Sequence, residues 1–121
     1  MTHDNLLYDL SKAFALRIIK LNRYLREEKH EFMMSHQIYK SGTSIGANVS
    51  ESMHAQSRAD FISKLEIALK EARETKYWLE LLQESGTIEE CHFASIVNDN
   101  NILIGTITNI VKKTKEGGDD K

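Results

Sequence analysis

The chain has 121 residues, of which 16 are basic and 18 acidic, so its formal net charge is −2. This length suits one domain just large enough to bury a core, and 40% hydrophobic with 28% charged residues is ordinary for a globular chain. No apolar run approaches the roughly 18 residues of a membrane span, and the N-terminus lacks a basic segment followed by an apolar one. We therefore expect neither a membrane protein nor a secreted one. The single cysteine excludes an internal disulfide framework.

The first half of the chain predicts two amphipathic helices. In the first, from about Asn5 to Glu28, apolar residues recur every three or four positions, as in a helix with one buried face. The second, from about Ser35 to Met53, has a thin apolar stripe that ends at Met53 and contains many small residues, including Gly42 and Gly46. Because glycine inside a helix costs about 1 kcal/mol relative to alanine, we expect a neighbouring helix to cross closely here, with Gly46 at the crossing.

The second half predicts two further helices. Ser57 followed by Asp60 resembles a capping box at a helix start, and Gly86 is placed to end that helix in the left-handed conformation. Between them, apolar residues repeat in a 4-3 rhythm, which is the spacing of a bundle seam. Thr87 and Glu90 predict a second capping box at the start of the last helix.

The last helix, from about Ile88 to Lys115, completes a set of four joined by short loops. Short loops make sequential helices antiparallel neighbours. The sequence therefore predicts an all-α fold, an antiparallel up-down-up-down four-helix bundle over residues 1–116. Residues 117–121 are predicted to be a flexible tail.

No pattern in the chain indicates catalysis, a metal ion or a cofactor. The glycine-rich stretch at residues 41–46 lacks the lysine that a P-loop places after its second glycine. Glu89-x-x-His92 is a single copy of a motif that helical metal sites use in pairs. Cys91 is interpreted as a buried or half-buried structural thiol. We therefore expect a protein that is not an enzyme.

One set of polar residues lies within or beside the apolar arcs of the helices. An unsatisfied buried amide costs about 1–3 kcal/mol, so such residues need partners. We interpret the set as a network that fixes helix register, with a ligand site as the alternative. Its members are Arg17, Asn48, Glu51, Glu71 and Asn100.

A second set forms a basic stripe on the first helix, on the side away from its apolar face. Such a stripe binds nucleic-acid phosphates or is simply a solvated face. The residues of this basic stripe are Lys12, Lys20, Arg23 and Arg26.

A third set is apolar or aromatic and lies outside the main seams of its helices. One bundle core cannot bury all of these side chains, and exposed apolar groups on two arcs indicate self-association. The candidate interface residues are Leu16, Ile19, Ile67, Trp78 and Leu81.

Three stretches of the second and third helices together resemble a known family. They are SIGANVSE at 44–51, QSRADF at 56–61 and IALKEARETKYWL at 67–79. In this order they are similar to the bacterial four-helix bundle proteins of the 23S rRNA intervening-sequence protein family. The resemblance implies an antiparallel four-helix bundle that assembles as a homopentamer in the bacterial cytoplasm, with no enzymatic activity attached.

A more distant similarity is to the accessory variability proteins of diversity-generating retroelements. Those proteins are also pentameric bundles, and they bind reverse transcriptase and nucleic acid through a strongly basic surface. This chain departs from that pattern, because its net charge is −2.

Two functions follow as hypotheses. The first is a non-enzymatic oligomer associated with structured RNA or other nucleic acid. The second is a protein–protein adaptor, a ring that scaffolds a separate enzyme such as a reverse transcriptase.

Overall fold

Four helices make up most of the computed structural model, which describes residues 2–117 and their side chains from Leu6 onward. They are α1 (Thr2–Glu27), α2 (Met33–Ser52), α3 (Arg58–Glu84) and α4 (Glu90–Glu116). Each helix packs against the next one in the chain, and α1 also contacts α4. The predicted antiparallel four-helix bundle is therefore confirmed. Within the described range, no helix is long and apolar enough to cross a membrane.

The predicted tail begins where α4 ends. Gly117 is the C-cap of α4, and its N–H donates to the carbonyl of Lys113. Residues 118–121, the rest of the predicted tail, lie outside the described residues.

The apolar stripes of the four helices meet in one core. Its largest completely buried side chains are Phe14, Leu7, Ile18, Leu25, Ile38, Ile45, Leu65, Leu79, Leu82, Leu103, Ile107 and Val49. Burying a side chain of this size stabilises the fold by about 1.5–3 kcal/mol, so these residues decide the packing of the helices. Met53 is an exception to the predicted stripe of α2. It follows the last residue of that helix as its C-cap and is 37% exposed.

The predicted caps of α3 are present. The hydroxyl of Ser57 accepts a hydrogen bond from the N–H of Asp60 at 3.0 Å. The Asp60 carboxylate in turn accepts from the N–H of Gln56 at 3.2 Å. That hydrogen bond, followed by one from the Lys64 ammonium, lowers the pKa of the Asp60 carboxyl below its usual value. At the other end, Gly86 has φ +80°, a left-handed conformation that glycine adopts without strain.

The predicted capping box at the start of α4 is wrong. The residue before the first turn is Glu89, and its side chain makes no capping hydrogen bond. The N–H groups of Thr87 and Ile88 both donate to the carbonyl of Leu82, at 2.9 and 3.1 Å. This turn places Ile88 in the core. The chain leaves the core at the next residue, the exposed Glu89, and the helix begins at Glu90, so Thr87 lies too early to cap it.

Gly42 brings α2 directly against α1. A Cβ atom at this position would lie 2.7 Å from Cγ1 of Ile18, which is completely buried. A Cβ atom at Gly46 would lie 3.4 Å from the carbonyl and hydroxyl oxygens of Ser11, which is ordinary to slightly tight contact. The predicted close crossing is confirmed, but its closest point is Gly42 rather than Gly46.

Candidate nucleic-acid interface

The basic stripe is exposed along one side of α1. Lys12, Lys20, Arg23 and Arg26 all lie on the surface. At about 100° per residue, they occupy roughly one third of the helix circumference, and at 1.5 Å per residue they extend over about 21 Å. The completely buried Phe14 and Ile18 lie on the other side of the same helix. The periodicity that builds the core thus also places these four cations together.

None of the four basic side chains forms an ion pair within the described part of the chain. The ion pairs found there are Arg17–Asp99, Lys64–Asp60 and Lys115–Glu66. The Lys12 ammonium lies instead 5.6 Å from the centre of the Tyr8 ring. Binding a phosphate at the stripe would therefore break no internal ion pair. Asp9 and Glu27 are exposed on the same side of α1, which keeps the net charge of this face low.

A shallow groove opens at the C-terminal end of the basic stripe, where α1 meets the α1–α2 loop. It has a volume of about 350 Å³ and is lined by Ile19, Asn22, Arg23, Arg26, Glu27 and Phe32. The Asn22 side chain is fixed because its Nδ2 donates to the carbonyl of Ser35 at 2.9 Å. Phe32 is 54% exposed although it is aromatic. Sequence reasoning missed Phe32 because it lies in a loop, outside any helical periodicity. The available signal was an aromatic residue directly after the polar stretch at residues 26–31.

The start of α2 is capped by Glu31 and not by Phe32. Phe32 occupies the N-cap position of α2 and has no oxygen with which to cap the helix. The Glu31 carboxylate does this instead, accepting from the N–H groups of Met34 at 2.7 Å and Ser35 at 3.1 Å. His30 adopts φ +53°, a left-handed conformation uncommon for a residue with a side chain. The loop is thus held by hydrogen bonds from backbone N–H groups to the Glu31 carboxylate, which do not need the Phe32 ring.

Three members of the predicted polar network form no hydrogen bond with one another in the described part of the chain. The Asn48 amide donates to the carbonyl of Ser44 in its own helix at 2.9 Å, and Glu51 is exposed. Glu71 is half-buried on α3; burial, followed by the nearby charge of Glu74, raises the pKa of its carboxyl above the usual value. Among the described residues, no hydrogen bond joins any two of the five residues predicted to form the network.

The other two members each hold α4 against a neighbouring helix. The Arg17 guanidinium donates to the Asp99 carboxylate at 2.8 Å and to the Ser95 hydroxyl at 2.8 Å, which joins α1 to α4. Asn100 is completely buried, and its Nδ2 donates to the carbonyl of Ala72 on α3 at 3.0 Å. Its Oδ1 has no partner among the described residues. A role in fixing helix register, with a ligand site as the alternative, stays a prediction for all five residues.

Sequence reasoning missed one polar contact between helices. The hydroxyls of Ser41 and Thr75 are buried and hydrogen-bonded at 2.9 Å, which joins α2 to α3. Small hydroxyl residues on an apolar face give no signal of a partner until the two helices are placed side by side.

The prediction of a buried thiol at Cys91 is wrong, because this side chain is exposed. Cys91 precedes the buried Ile96 by five positions, which is about 140° around the helix and therefore on its solvent side. The Cys91 Sγ lies 3.7 Å from a carboxylate oxygen of Glu89. The ligand atoms of Glu89, Cys91 and His92 all lie within 4.8 Å of one another, and all three side chains are exposed.

The candidate interface residues differ in exposure. Leu16 and Ile67 are exposed on α1 and α3, whereas Ile19, Trp78 and Leu81 are half-buried. Trp78 packs against the core, and its Nε1 donates to the Glu74 carboxylate at 3.2 Å. On α4, Ile102 is also exposed. Apolar groups are therefore available for contacts on three helices.

Comparisons with known proteins give one family. A family model described as 23S rRNA-intervening sequence protein matches residues 3–109. A crystal structure from Bacteroides thetaiotaomicron VPI-5482, described as a protein with unknown function from the S23 ribosomal protein family, superposes with a TM-score of 0.90 at 52% sequence identity. The match covers 91% of this chain and 98% of that one. No curated protein gives a significant match.

Proposed function

Because the chain belongs to the 23S rRNA-intervening sequence protein family, we propose that it is a non-enzymatic, homo-oligomeric bundle that binds structured RNA through α1 in the cytoplasm. The observation that carries this proposal is the basic stripe: four exposed cations on one side of α1, with no ion pair to a described carboxylate. Exposed lysine and arginine side chains bind phosphate oxygens and release condensed counterions, which is the main source of affinity for nucleic acids.

The net charge of the chain sets what kind of RNA is bound. With a formal net charge of −2, the molecule as a whole does not attract a polyanion. Attraction is limited to the basic stripe, where Asp9 and Glu27 reduce it. Affinity for an arbitrary strand is therefore weak, and an RNA whose folded shape places several phosphates along α1 is favoured.

Self-association repeats the basic stripe around an assembly. Leu16 is exposed on α1 between Lys12 and Lys20, so an apolar contact centred on Leu16 places these cations at its edge, whereas Ile19 is half-buried and lines the groove further along the helix. This agrees with the usual anatomy of interfaces, which have an apolar centre and a polar rim. A pentamer, as the family resemblance implies, carries five such stripes and binds an RNA that spans two or more of them with increased avidity.

We expect sedimentation equilibrium to give a mass several times the 13.9 kDa of the monomer. Leu16→Asn should shift the assembly toward smaller species, because it places a polar group at the centre of the apolar contact. Leu6→Asn is the matched control, since Leu6 is 57% exposed against 55% for Leu16 but is outside the candidate interface. A mass of one chain at every concentration would contradict the proposal, and so would equal effects of the two substitutions.

The RNA proposal is tested by changing Lys20, Arg23 and Arg26 together to glutamine. The parent should bind a hairpin from 23S rRNA with a log–log salt slope of roughly −0.7 to −0.9 per phosphate contact. The triple variant should bind more weakly at low salt, with a slope flatter by roughly 2–3, because three phosphate contacts are lost. The bundle should remain intact, since all three side chains are exposed.

The matched control replaces Arg58, Lys70 and Arg73 on α3 with glutamine. These exposed residues have the same composition and total charge as the tested set but lie outside the basic stripe. If both triple variants lose affinity equally, the effect is one of net charge and the basic stripe is a solvated face. If the parent does not bind the hairpin even at low salt, the adaptor function is favoured and the RNA proposal fails.

A further inference from the structure

We propose that the groove at the C-terminal end of α1 holds one unpaired nucleotide of the bound RNA, with the base on Phe32 and the phosphate at Arg23 and Arg26. This inference rests on the proposed RNA binding and identifies the part of the RNA that is recognised. The groove adjoins the basic stripe, since Arg23 and Arg26 belong to both. A strand that follows the stripe therefore reaches the groove without leaving α1.

Phe32 provides a face for a base. Its ring is half exposed, borders the groove, and stands beside a second ring, that of His30, with 6.5 Å between ring centres. The loop that carries it is fixed by the hydrogen bonds of Glu31 to the start of α2. Proteins that bind unpaired RNA bases commonly stack them on aromatic side chains. An RNA duplex has no free base face, so the occupant comes from a loop, a bulge or a strand end.

Arg23 and Arg26 provide the contact for a phosphate. They are three residues apart on one helix, so their side chains emerge on the same side, about 4.5 Å apart along the axis. Neither guanidinium has an ion-pair partner among the described residues. A guanidinium binds two phosphate oxygens at once, which a lysine ammonium cannot do with the same geometry.

Glu27 and the size of the groove restrict which nucleotide fits. At about 350 Å³, the groove is near the lower limit of pockets that hold small ligands, which suits a single nucleotide. The Glu27 carboxylate accepts hydrogen bonds but donates none. It favours guanine, whose pairing edge has two adjacent donors, over uracil, which has one donor between two acceptors. We therefore assign the groove to an unpaired guanine.

The experiment compares one RNA hairpin with a single guanine in a uridine loop against the same stem as a loop-free duplex. Phe32→Ala should lower affinity for the hairpin about ten-fold, which is typical of losing one base stack, and should leave the duplex affinity and the salt slope unchanged. Phe32→Trp should retain affinity. Met33→Ala is the control, because Met33 is 80% exposed and does not line the groove.

Base selectivity is tested separately with Glu27→Gln. This change should reduce the preference for a guanine loop over an all-uridine loop, whereas Glu28→Gln, an exposed neighbour outside the groove, should not. If the triple variant of Lys20, Arg23 and Arg26 loses hairpin binding but Phe32→Ala has no effect, this inference is overturned and the proposed function stands. Equal losses for hairpin and duplex overturn it as well. Failure of the parent to bind any RNA overturns both.

Discussion

Asn100→Asp should lower the free energy of unfolding at pH 7 by about 4 kcal/mol, although the two side chains have the same shape. Asn100 is completely buried and donates from Nδ2 to the carbonyl of Ala72 at 3.0 Å. Aspartate replaces this donor with a second acceptor beside a carbonyl oxygen, and no described group donates to the first. A buried, unpaired carboxylate is held protonated instead. At pH 7 this costs about 1.4 kcal/mol for each unit by which the pH exceeds the aspartate pKa in the unfolded chain, which is about 3.9.

The stability of the Asn100→Asp variant should depend on pH. Burial raises the pKa of an aspartate at this position, so the folded state binds a proton that the unfolded state has released. Relative to the parent, the variant should therefore lose stability as the pH rises above about 4. At pH 4 the protonated side chain donates to the Ala72 carbonyl again, and the deficit should largely vanish. Urea denaturation of both proteins at pH 4 and pH 7 measures the difference.

Asn101→Asp is the matched control for this prediction. The two positions are adjacent on α4, and the change in charge is identical, but Asn101 is exposed. Its substitution should alter stability by only a few tenths of a kcal/mol, as is usual for surface changes. Equal effects of the two substitutions at pH 7 would show that Asn100 is not buried between α3 and α4.

Alanine at Gly42 and alanine at Gly105 should change stability in opposite directions. Both substitutions replace a helical glycine and gain up to about 1 kcal/mol of helix propensity. At Gly105 a Cβ atom would meet nothing within 4 Å, so Gly105→Ala should be stabilising. At Gly42 it would lie 2.7 and 2.9 Å from Cγ1 and Cγ2 of Ile18, a buried and branched side chain with little freedom to move. The difference between the two variants is the overpacking cost, about 1–3 kcal/mol.

A double-mutant cycle with Ile18→Ala tests whether this contact is the cause. Ile18→Ala alone should destabilise the bundle by about 2–5 kcal/mol because it leaves a cavity. Combined with Gly42→Ala, the total loss should be clearly smaller than the sum of the two single losses, since the new methyl group enters the space that Ile18 vacates. Thermal unfolding followed by circular dichroism measures the stability of the parent, the two single variants and the double variant. Simple additivity would show that Gly42 and Ile18 do not touch.

The amino-acid sequence by itself determined the number, approximate extent and buried faces of the helices. Apolar side chains at intervals of three and four residues form one stripe in any α-helix, so residues such as Phe14, Ile45 and Leu79 were identifiable before their neighbours were known. The same rotation of 100° per residue placed the basic stripe on the opposite side of α1. The capping pattern at Ser57 and the glycine at position 86 likewise predicted where α3 begins and ends.

The tertiary structure alone decided the features that depend on two segments being close together. The start of α4 is set by the burial of Ile88 under the turn from Leu82, which overrides the local capping pattern at Thr87. The closest approach of α1 and α2 falls at Gly42 rather than Gly46, because Ile18 lies opposite the former and the small Ser11 opposite the latter. The groove at Phe32 exists only where the end of α1 faces the α1–α2 loop. Periodicity describes one helix at a time. Helix packing, hydrogen bonds between helices and grooves depend on distances between separate segments, and periodicity carries no information about those distances.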